Sequence, residues 1–282
     1  MSGKDQSLTL VEHLAELRNR IMITMVFLVI GVVLGFVFAK EIIAFLTRDM
    51  AELHVFRPMD TVRVYMQIAV YVGIVAALPM GLYQAWAFVK PALTKVEQQN
   101  TIWFIPAAVV LFVVGACFAY FGIFPFMWEF MMTITMGLGD VNATIGLQEY
   151  IGFIVNLVLP VGLLFELPIV VIFLTKLRIV NPPRLRKLRK MAYFVFVLVA
   201  VMITPPDFIS PILVYLPLIS LYEISILLSA RIYKRQLAAE AAFDAEYADE
   251  EDAEQKVEEA EEKVKEAETD EQEPTTKSTE EK

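Results

Sequence analysis

The sequence has 282 residues, of which 57% are apolar, and its mean hydropathy is +0.57. Soluble domains are roughly 45–50% apolar, so the composition excludes an ordinary soluble protein and indicates one that spans a membrane. The single cysteine, Cys117, excludes an internal disulfide and a metal site built from cysteines alone.

The net charge of −9 averages two unlike parts of the chain. Residues 240–282 hold 19 acidic and 5 basic side chains, a net charge of −14. The preceding 239 residues hold the other 14 acidic and 19 basic side chains, a net charge of +5. The apparent acidity therefore belongs to the tail, which we expect to be partly disordered, and the rest of the chain is basic.

The first predicted element is an amphipathic helix that lies at the membrane before the first span. Its apolar face consists of Leu10, Leu14, Leu17 and Ile21. Glu16 and Arg20 have the spacing of an ion pair on one helix face, which explains both without any function. The alternative is that Glu16 and His13 face a cationic ligand.

Six apolar runs follow, and we predict that each is a membrane-spanning helix. They are Ile21–Ala39, Val64–Trp86, Ile102–Pro125, Ile151–Leu174, Met191–Ile203 and Phe208–Ser229. The fifth run is short, about 20 Å as a helix, and two prolines in residues 204–207 turn the chain back at once. The predicted fold class is an all-α integral membrane protein of six transmembrane helices, with a short last hairpin and a concave bundle.

Basic residues accumulate on one side of this predicted bundle, which the positive-inside rule makes cytoplasmic. They are Lys4, Arg18, Arg20, Lys90, Lys95, the run 176–190, Arg231, Lys234 and Arg235. We predict that both termini are cytoplasmic and that the protein is a multi-pass protein of the cell membrane. The predicted domains are the cytoplasmic amphipathic helix (1–20), the transmembrane domain (21–230) and the acidic cytoplasmic tail (231–282).

The first cytoplasmic loop offers a second acidic residue, Glu97. Thr94 and Glu97 have capping-box spacing, so Glu97 is explained as a helix cap, as a ligand-binding carboxylate, or as both. Phe88 and Leu93 leave apolar side chains at the membrane surface, where they could contact an apolar peptide.

Glu166 lies inside the fourth predicted span, and an acid at that depth costs about 2.5–3.5 kcal/mol on insertion scales. It is therefore a functional candidate, and Pro160 and Pro168 are expected to bend its helix around a pocket that water can reach. The alternatives are a structural glutamate that holds two helices together, or the site of a secondary transporter of a small cation. We count no second acid in the long spans, which argues against a transporter.

No sequence motif indicates catalysis. The chain has no glycine-rich phosphate loop, no His/Cys metal cluster and no nucleophile elbow. We therefore predict no enzyme activity, no catalytic residue, no cofactor, no metal and no nucleic-acid partner. The basic run 184–190 is explained as a positive-inside anchor.

Five motifs in order resemble those of one family. They are Glu12-His13-Leu-x-Glu16-Leu-Arg18-x-Arg20; Pro79 through Gln84-x-Trp86-x-Phe88 and Pro91-Ala92-Leu93-x-x-x-Glu97; Tyr120-Phe-x-x-Phe124-Pro125; Phe165-Glu166-x-Pro168; and Thr204-Pro205-Pro206-Asp207. Together, over residues 8–230, they resemble the TatC family, the core receptor of the twin-arginine protein translocase.

The resemblance implies a receptor for the paired-arginine signal peptides of folded proteins, which recruits single-span partners of the TatA/TatB type and self-associates. Glu16 and Glu97 would contact the arginines. The residues that would shape that patch are His13, Arg18, Phe88, Pro91 and Leu93. Glu166 would lie in a membrane pocket, and the partner-docking residues would be Thr204, Asp207 and Tyr120.

The sequence departs from the family pattern at two places. The first outer loop lacks the proline expected there, and Ser210-Pro211 replace a polar amide residue after Asp207. The acidic tail lies outside the resemblance, which assigns it no function.

Overall fold

The computed structural model describes residues 10–50, 53–92, 98, 101–137, 144–205, 207 and 209–270. Regular structure in this part of the chain is helical, and no β-strand occurs in it. A segment inside a membrane must satisfy its backbone hydrogen bonds internally, which a helix does. The all-α fold class predicted from the sequence is confirmed.

The α-helices are numbered here in chain order. They are α1 (Leu10–Val37), α2 (Ala39–Leu46), α3 (Pro58–Val89), α4 (Phe104–Phe118), α5 (Phe124–Met136), α6 (Leu147–Leu164), α7 (Leu167–Lys176), α8 (Pro182–Lys187), α9 (Arg189–Ile203) and α10 (Ser210–Asp270). A 3₁₀ turn, Lys90–Ala92, follows α3. A π-helical turn, Ala119–Ile123, joins α4 to α5.

Five stretches of the described residues are long and apolar enough to cross a membrane. They are His13–Val37, Pro58–Val89, Phe104–Met136, Leu147–Lys176 and Ser210–Ala239. These stretches contain or overlap the first, second, third, fourth and sixth predicted spans. The fifth predicted span lies in α9, which has 15 residues and is therefore about 22 Å long. A sixth membrane-spanning helix stays a prediction.

The N-terminal segment and the first span form one helix. Helix α1 runs from Leu10 to Val37 with no break near residue 20. The side chains of Leu14 and Leu17 are exposed, as are most apolar side chains further along α1. The candidate residues of the N-terminal segment are therefore carried rigidly on the helix that also contains the first span.

Helices α1 and α3 approach each other through small residues. A Cβ atom added at Gly73 would lie 2.5 Å from Cγ2 of Val32, and one added at Gly31 would lie 2.9 Å from Cα of Gly73. Such distances are shorter than real contacts, so only glycine fits at these positions. Close backbone approach through small residues is a common way for membrane helices to pack.

A second close contact fixes the middle of the bundle, where α4 meets α6 and the turn that follows it. A Cβ atom added at Gly115 of α4 would lie 2.5 Å from Cγ of Phe165. On the other side of the contact, Gly162 of α6 accommodates the ring of Phe112. Phe165 immediately precedes Glu166, so this packing also positions the predicted intramembrane acid.

The loops before α3 and before α6 are joined to each other. The backbone amide of His54 donates to the carbonyl of Ile145 at 2.9 Å, and that of Leu147 donates to the carbonyl of His54 at 2.8 Å. Nearby, the Tyr150 hydroxyl donates to the carbonyl of Leu46 at 3.2 Å. These hydrogen bonds hold the two loops and the end of α2 together.

The chain divides into two compact units, Met1–Ala230 and Arg231–Lys282. In the second unit the described residues continue α10 as a helix to Asp270. The candidate site residues all lie in the first unit.

Candidate functional site

The first candidate cluster lies on the N-terminal turns of α1. His13, Glu16 and Arg20 are spaced by three and four residues and so share one face of the helix. Their side chains are partly exposed, 43% for His13, 28% for Glu16 and 22% for Arg20. Arg18 is exposed and lies about 200° around the helix from Glu16, so the structure does not bring it to this cluster.

Arg20 binds Glu16 and at the same time reaches α3. Its Nε donates to Oε1 of Glu16 at 3.0 Å, and its Nη2 donates to the same oxygen at 2.5 Å. Its Nη1 donates to Oε1 of Gln84 at 3.1 Å. Gln84 is buried in α3, and its Nε2 lies 3.7 Å from the sulfur of Met80. The predicted ion pair is present, and it belongs to a network that includes a second helix.

His13 connects the same carboxylate to Phe88. Its Nδ1 lies 3.8 Å from Oε2 of Glu16. The imidazole and the Phe88 ring stack with their centroids 4.2 Å apart and their planes 20° apart. Thus three residues predicted to share a ligand, His13, Glu16 and Phe88, lie together.

An apolar cleft of about 370 Å³ opens beside this cluster. It lies between α1, α3 and α7, and its lining is almost entirely apolar, with Arg20 and Gln84 among the few polar residues. The lining residues are Leu17, Arg20, Ile21, Thr24, Met25, Gly81, Gln84, Ala85, Phe88, Val89 and Phe173. A carboxylate therefore lies near a concave apolar surface.

The predicted loop residues are described only in part. Pro91 is exposed in the 3₁₀ turn after α3. In the same turn, Nζ of Lys90 lies 5.3 Å from the centroid of the Trp86 ring, a cation–π distance. Leu93 and Glu97 lie outside the described residues, so their predicted roles stay predictions.

Glu166 lies where α6 ends and α7 begins. It is 7% exposed, and its Oε1 is buried with no hydrogen-bond partner in the described part of the chain. Its carbonyl accepts hydrogen bonds from Ile169 and Val170 in the first turn of α7. A buried carboxyl group with an oxygen free is costly unless a ligand or water completes it.

Thr204 and Asp207 form the turn between α9 and α10. The buried Thr204 hydroxyl donates to the carbonyl of Ala200 at 2.9 Å. The Asp207 carboxylate accepts from the backbone amide and the hydroxyl of Ser210, each at 2.6 Å. Asp207 therefore caps the first turn of α10, in which Pro211 has no amide hydrogen and so needs no acceptor.

Tyr120 lies in the π-helical turn. Its ring contacts Phe45 of α2 and the neighbouring Phe121 and Phe124. These partners belong to an aromatic cluster that also includes Trp128, Tyr150 and Phe153. The described contacts of Tyr120 explain it as a packing residue of that cluster.

Sequence reasoning overlooked Glu223. Nη2 of Arg189 donates to Oε2 of Glu223 at 2.6 Å, and the Tyr193 hydroxyl donates to its Oε1 at 2.5 Å. Glu223 lies within the sixth predicted span, so the count of no second acid in the long spans was wrong. The physical reason that this acid is tolerated is its pairing, and a single acid inside an apolar run was the signal that could have found it.

The sequence matches the family model described as Sec-independent protein translocase protein (TatC) over residues 12–217. It is 43% identical over 243 residues to protein TatCy of Bacillus subtilis, covering 85% of this chain and 95% of that protein. It is 41% identical over 251 residues to TatC of Halalkalibacterium halodurans, covering 88% of this chain and 99% of that protein.

Solved structures agree with the sequence comparisons. A crystal structure of the twin-arginine translocase receptor TatC superposes with a TM-score of 0.69 at 32% identity, covering 77% of this chain and 98% of that one. A second crystal structure of the same receptor, in the detergent DDM, has a TM-score of 0.71 at 32% identity.

Proposed function

Because this chain belongs to the TatC family, and is thus a membrane receptor and core component of the twin-arginine protein translocase and not an enzyme, we propose that Glu16 is one of its contacts to the paired arginines of signal peptides. The second contact in this proposal is Glu97. The receptor works with the other components of the translocase. In this proposal it is the component that binds the signal peptide.

The observation that carries this proposal is the arginine already bound at Glu16. The carboxylate accepts two N–H groups of Arg20 beside the cleft. A guanidinium is planar, always charged and presents its donors as a fork, so a group that binds one guanidinium has the chemistry to bind another. Glu16 is 28% exposed, which leaves it accessible to a peptide.

The cleft supplies a place for the apolar part of the same peptide. A charge-assisted hydrogen bond contributes about 1.5–3 kcal/mol, which gives discrimination more than affinity. Burial of apolar side chains adds roughly 25 cal/mol per Å². A peptide held at Glu16 would extend along the surface formed by Ile21, Met25 and Phe88, with His13 and Pro91 at its margin.

The proposed orientation places this site in the cytoplasm, where folded cargo begins its export. Both termini would be cytoplasmic and the protein would lie in the plasma membrane, because the basic residues gather in connections on one side. The run 184–190 contributes to that asymmetry of charge, and its side chains Arg184, Arg186 and Lys187 are exposed.

Partner binding is proposed at two further places. Single-span helices of the TatA/TatB type would dock along α9 and the start of α10, near Thr204 and Asp207, with Tyr120 as a further docking residue. The free oxygen of Glu166 would receive a polar group of a partner helix or of the signal peptide. Copies of the receptor would also associate with each other.

Photo-crosslinking of a synthetic twin-arginine signal peptide to membranes that contain the full chain tests the binding site. We expect contact with the wild type, and its loss with Glu16→Gln, with Glu97→Ala and with a peptide carrying two lysines. Glu41→Gln is the matched control, because Glu41 is an exposed glutamate of α2. Equal crosslinking in every combination, or none in the wild type, would contradict the assignment.

A further inference from the structure

Arg20 occupies one oxygen, Oε1, of the carboxylate that the proposed function assigns to the peptide. Three of its N–H groups are used, two on Glu16 and one on Gln84. Gln84 is 8% exposed, so the side chain that holds Arg20 is itself fixed in the interior of α3. The site therefore already contains one arginine, supplied by the receptor.

Occupation by an internal arginine changes what the site can bind. A bare carboxylate would attract any cation, whether the ammonium group of a lysine or a guanidinium. Because Oε1 of Glu16 already accepts two N–H groups, a ligand takes that oxygen only by replacing both. Lysine presents one compact, strongly hydrated charge, whereas arginine presents a fork of matching geometry.

Arg20 also has a second acceptor, Gln84, that it keeps when a ligand displaces it from Glu16. Its Nη1 contact to Gln84 does not involve Glu16, so Arg20 can keep its attachment to α3 while the carboxylate is released. The Thr24 hydroxyl, one turn on, donates to the backbone carbonyl of Arg20 and not to a group that the guanidinium uses. Exchange of one guanidinium for another keeps a guanidinium on Glu16, so the carboxylate is not left uncompensated.

We propose that Arg20 is a specificity-determining residue, an internal competitor for Glu16 that makes the receptor prefer paired arginines to paired lysines. This inference rests on the proposed function, because it requires Glu16 to bind the peptide. Arg20 is tethered four residues from Glu16, so its effective concentration is high and a ligand must bind the carboxylate well to replace it.

The test compares binding of two fluorescent signal peptides, one with two arginines and one with two lysines, to the purified full chain in nanodiscs. Arg20→Gln is expected to strengthen binding of both peptides, and that of the lysine peptide by about tenfold. The ratio between the two dissociation constants should therefore fall towards one. Arg20→Lys, which keeps the charge and loses the fork, should give an intermediate ratio.

Arg186→Gln is the charge-matched control, because Arg186 is exposed and lies in α8, away from the cleft lining. It should leave the ratio unchanged. The inference is overturned if Arg20→Gln weakens both peptides equally, since Arg20 would then only position Glu16, or if the ratio stays at its wild-type value in both Arg20 variants.

Failure of the proposed function has a different signature. In that case the arginine peptide binds Glu16→Gln as tightly as it binds the wild type, and the Arg20 variants cannot alter a contact that Glu16 does not make. Loss of binding in Glu16→Gln together with an unchanged ratio in Arg20→Gln rejects only the inference.

Discussion

The α1–α3 contact and the α9–α10 contact each contain a glutamate–arginine pair, but the helices around the two pairs are held together differently. At the α1–α3 contact the backbones meet through Gly31 and Gly73. Glu16 pairs with Arg20 of its own helix, and Arg20 donates one hydrogen bond across to Gln84 of α3.

At the α9–α10 contact the pair itself crosses between helices. Glu223 of α10 accepts from both Arg189 and Tyr193 of α9, and the Tyr222 ring packs edge-on against Phe196. The comparison separates two uses of an ion pair. The Glu16 pair lies within one helix, so in the proposed function a ligand would replace it while the glycine contact keeps α1 and α3 together. Where the pair links two helices, its charges serve the structure.

The largest effect is expected from a change that separates α1 from α3. Gly73→Ala places a Cβ atom 2.5 Å from Val32 and should lower the free energy of unfolding by about 1–3 kcal/mol through overpacking. Thermal unfolding in detergent measures it. Gly152→Ala is the matched control, because its added Cβ would meet nothing closer than 3.9 Å. Equal stability of the two variants would mean that this contact is not tightly packed.

A smaller loss of stability should follow from removing the charge of Glu223. Glu223→Gln weakens hydrogen bonds to Arg189 and Tyr193, and we expect a loss of about 1 kcal/mol, since both charged side chains are partly exposed. Unfolding of this variant is compared with that of Glu41→Gln. Signal-peptide binding by the folded Glu223→Gln protein should match the wild type, and a selective loss of binding would assign the pair to the ligand site.

Tyr193→Phe measures the contribution of the one uncharged donor to Glu223, the Tyr193 hydroxyl. It removes one hydroxyl donor and keeps the ring, so stability should fall by about 0.5–1 kcal/mol. In combination with Glu223→Gln the losses should be less than additive, because the two residues share one hydrogen bond. Strictly additive losses would show that the two side chains act independently.

The smallest stability effect is expected at Glu16. A same-helix pair contributes about 0.2–0.5 kcal/mol, so Glu16→Gln should unfold within about 0.5 kcal/mol of the wild type while it loses peptide binding. A larger loss of stability would place the Glu16 pair in the same structural class as the Glu223 pair, and the contrast between the two contacts would disappear.

The sequence was sufficient to predict the features that depend on the spacing of nearby residues. Long apolar runs predicted the helices, and the positions of His13, Glu16 and Arg20 predicted a shared helix face. It was insufficient wherever a partner lies far along the chain. Nothing local to Arg20 indicates Gln84 as its acceptor, because that contact depends on how α1 and α3 pack. Likewise the spacing of Gly31 and Gly35 is visible in the sequence, but their partners in α3, Gly73 for Gly31 and Ala69 for Gly35, are not.

The intermediate case is Glu223, whose position within an apolar run was visible although its pairing was not. The short fifth predicted span shows another limit of sequence-based prediction. The prolines that end it were evident from the sequence, and α9 does end at Ile203. How a helix of this length lies in a bilayer depends on its neighbours and on lipid thickness, which no local pattern encodes.

The tethering of Arg20 next to Glu16 has a consequence for residence time. A receptor that hands on its cargo must release each signal peptide as well as capture it. Mutational changes in affinity within one interface act mostly through the dissociation rate. If Arg20 competes for Glu16 as we propose, it would rebind the carboxylate whenever the peptide loosens. The same side chain would then shorten the time that each peptide stays bound and free the receptor for the next cargo.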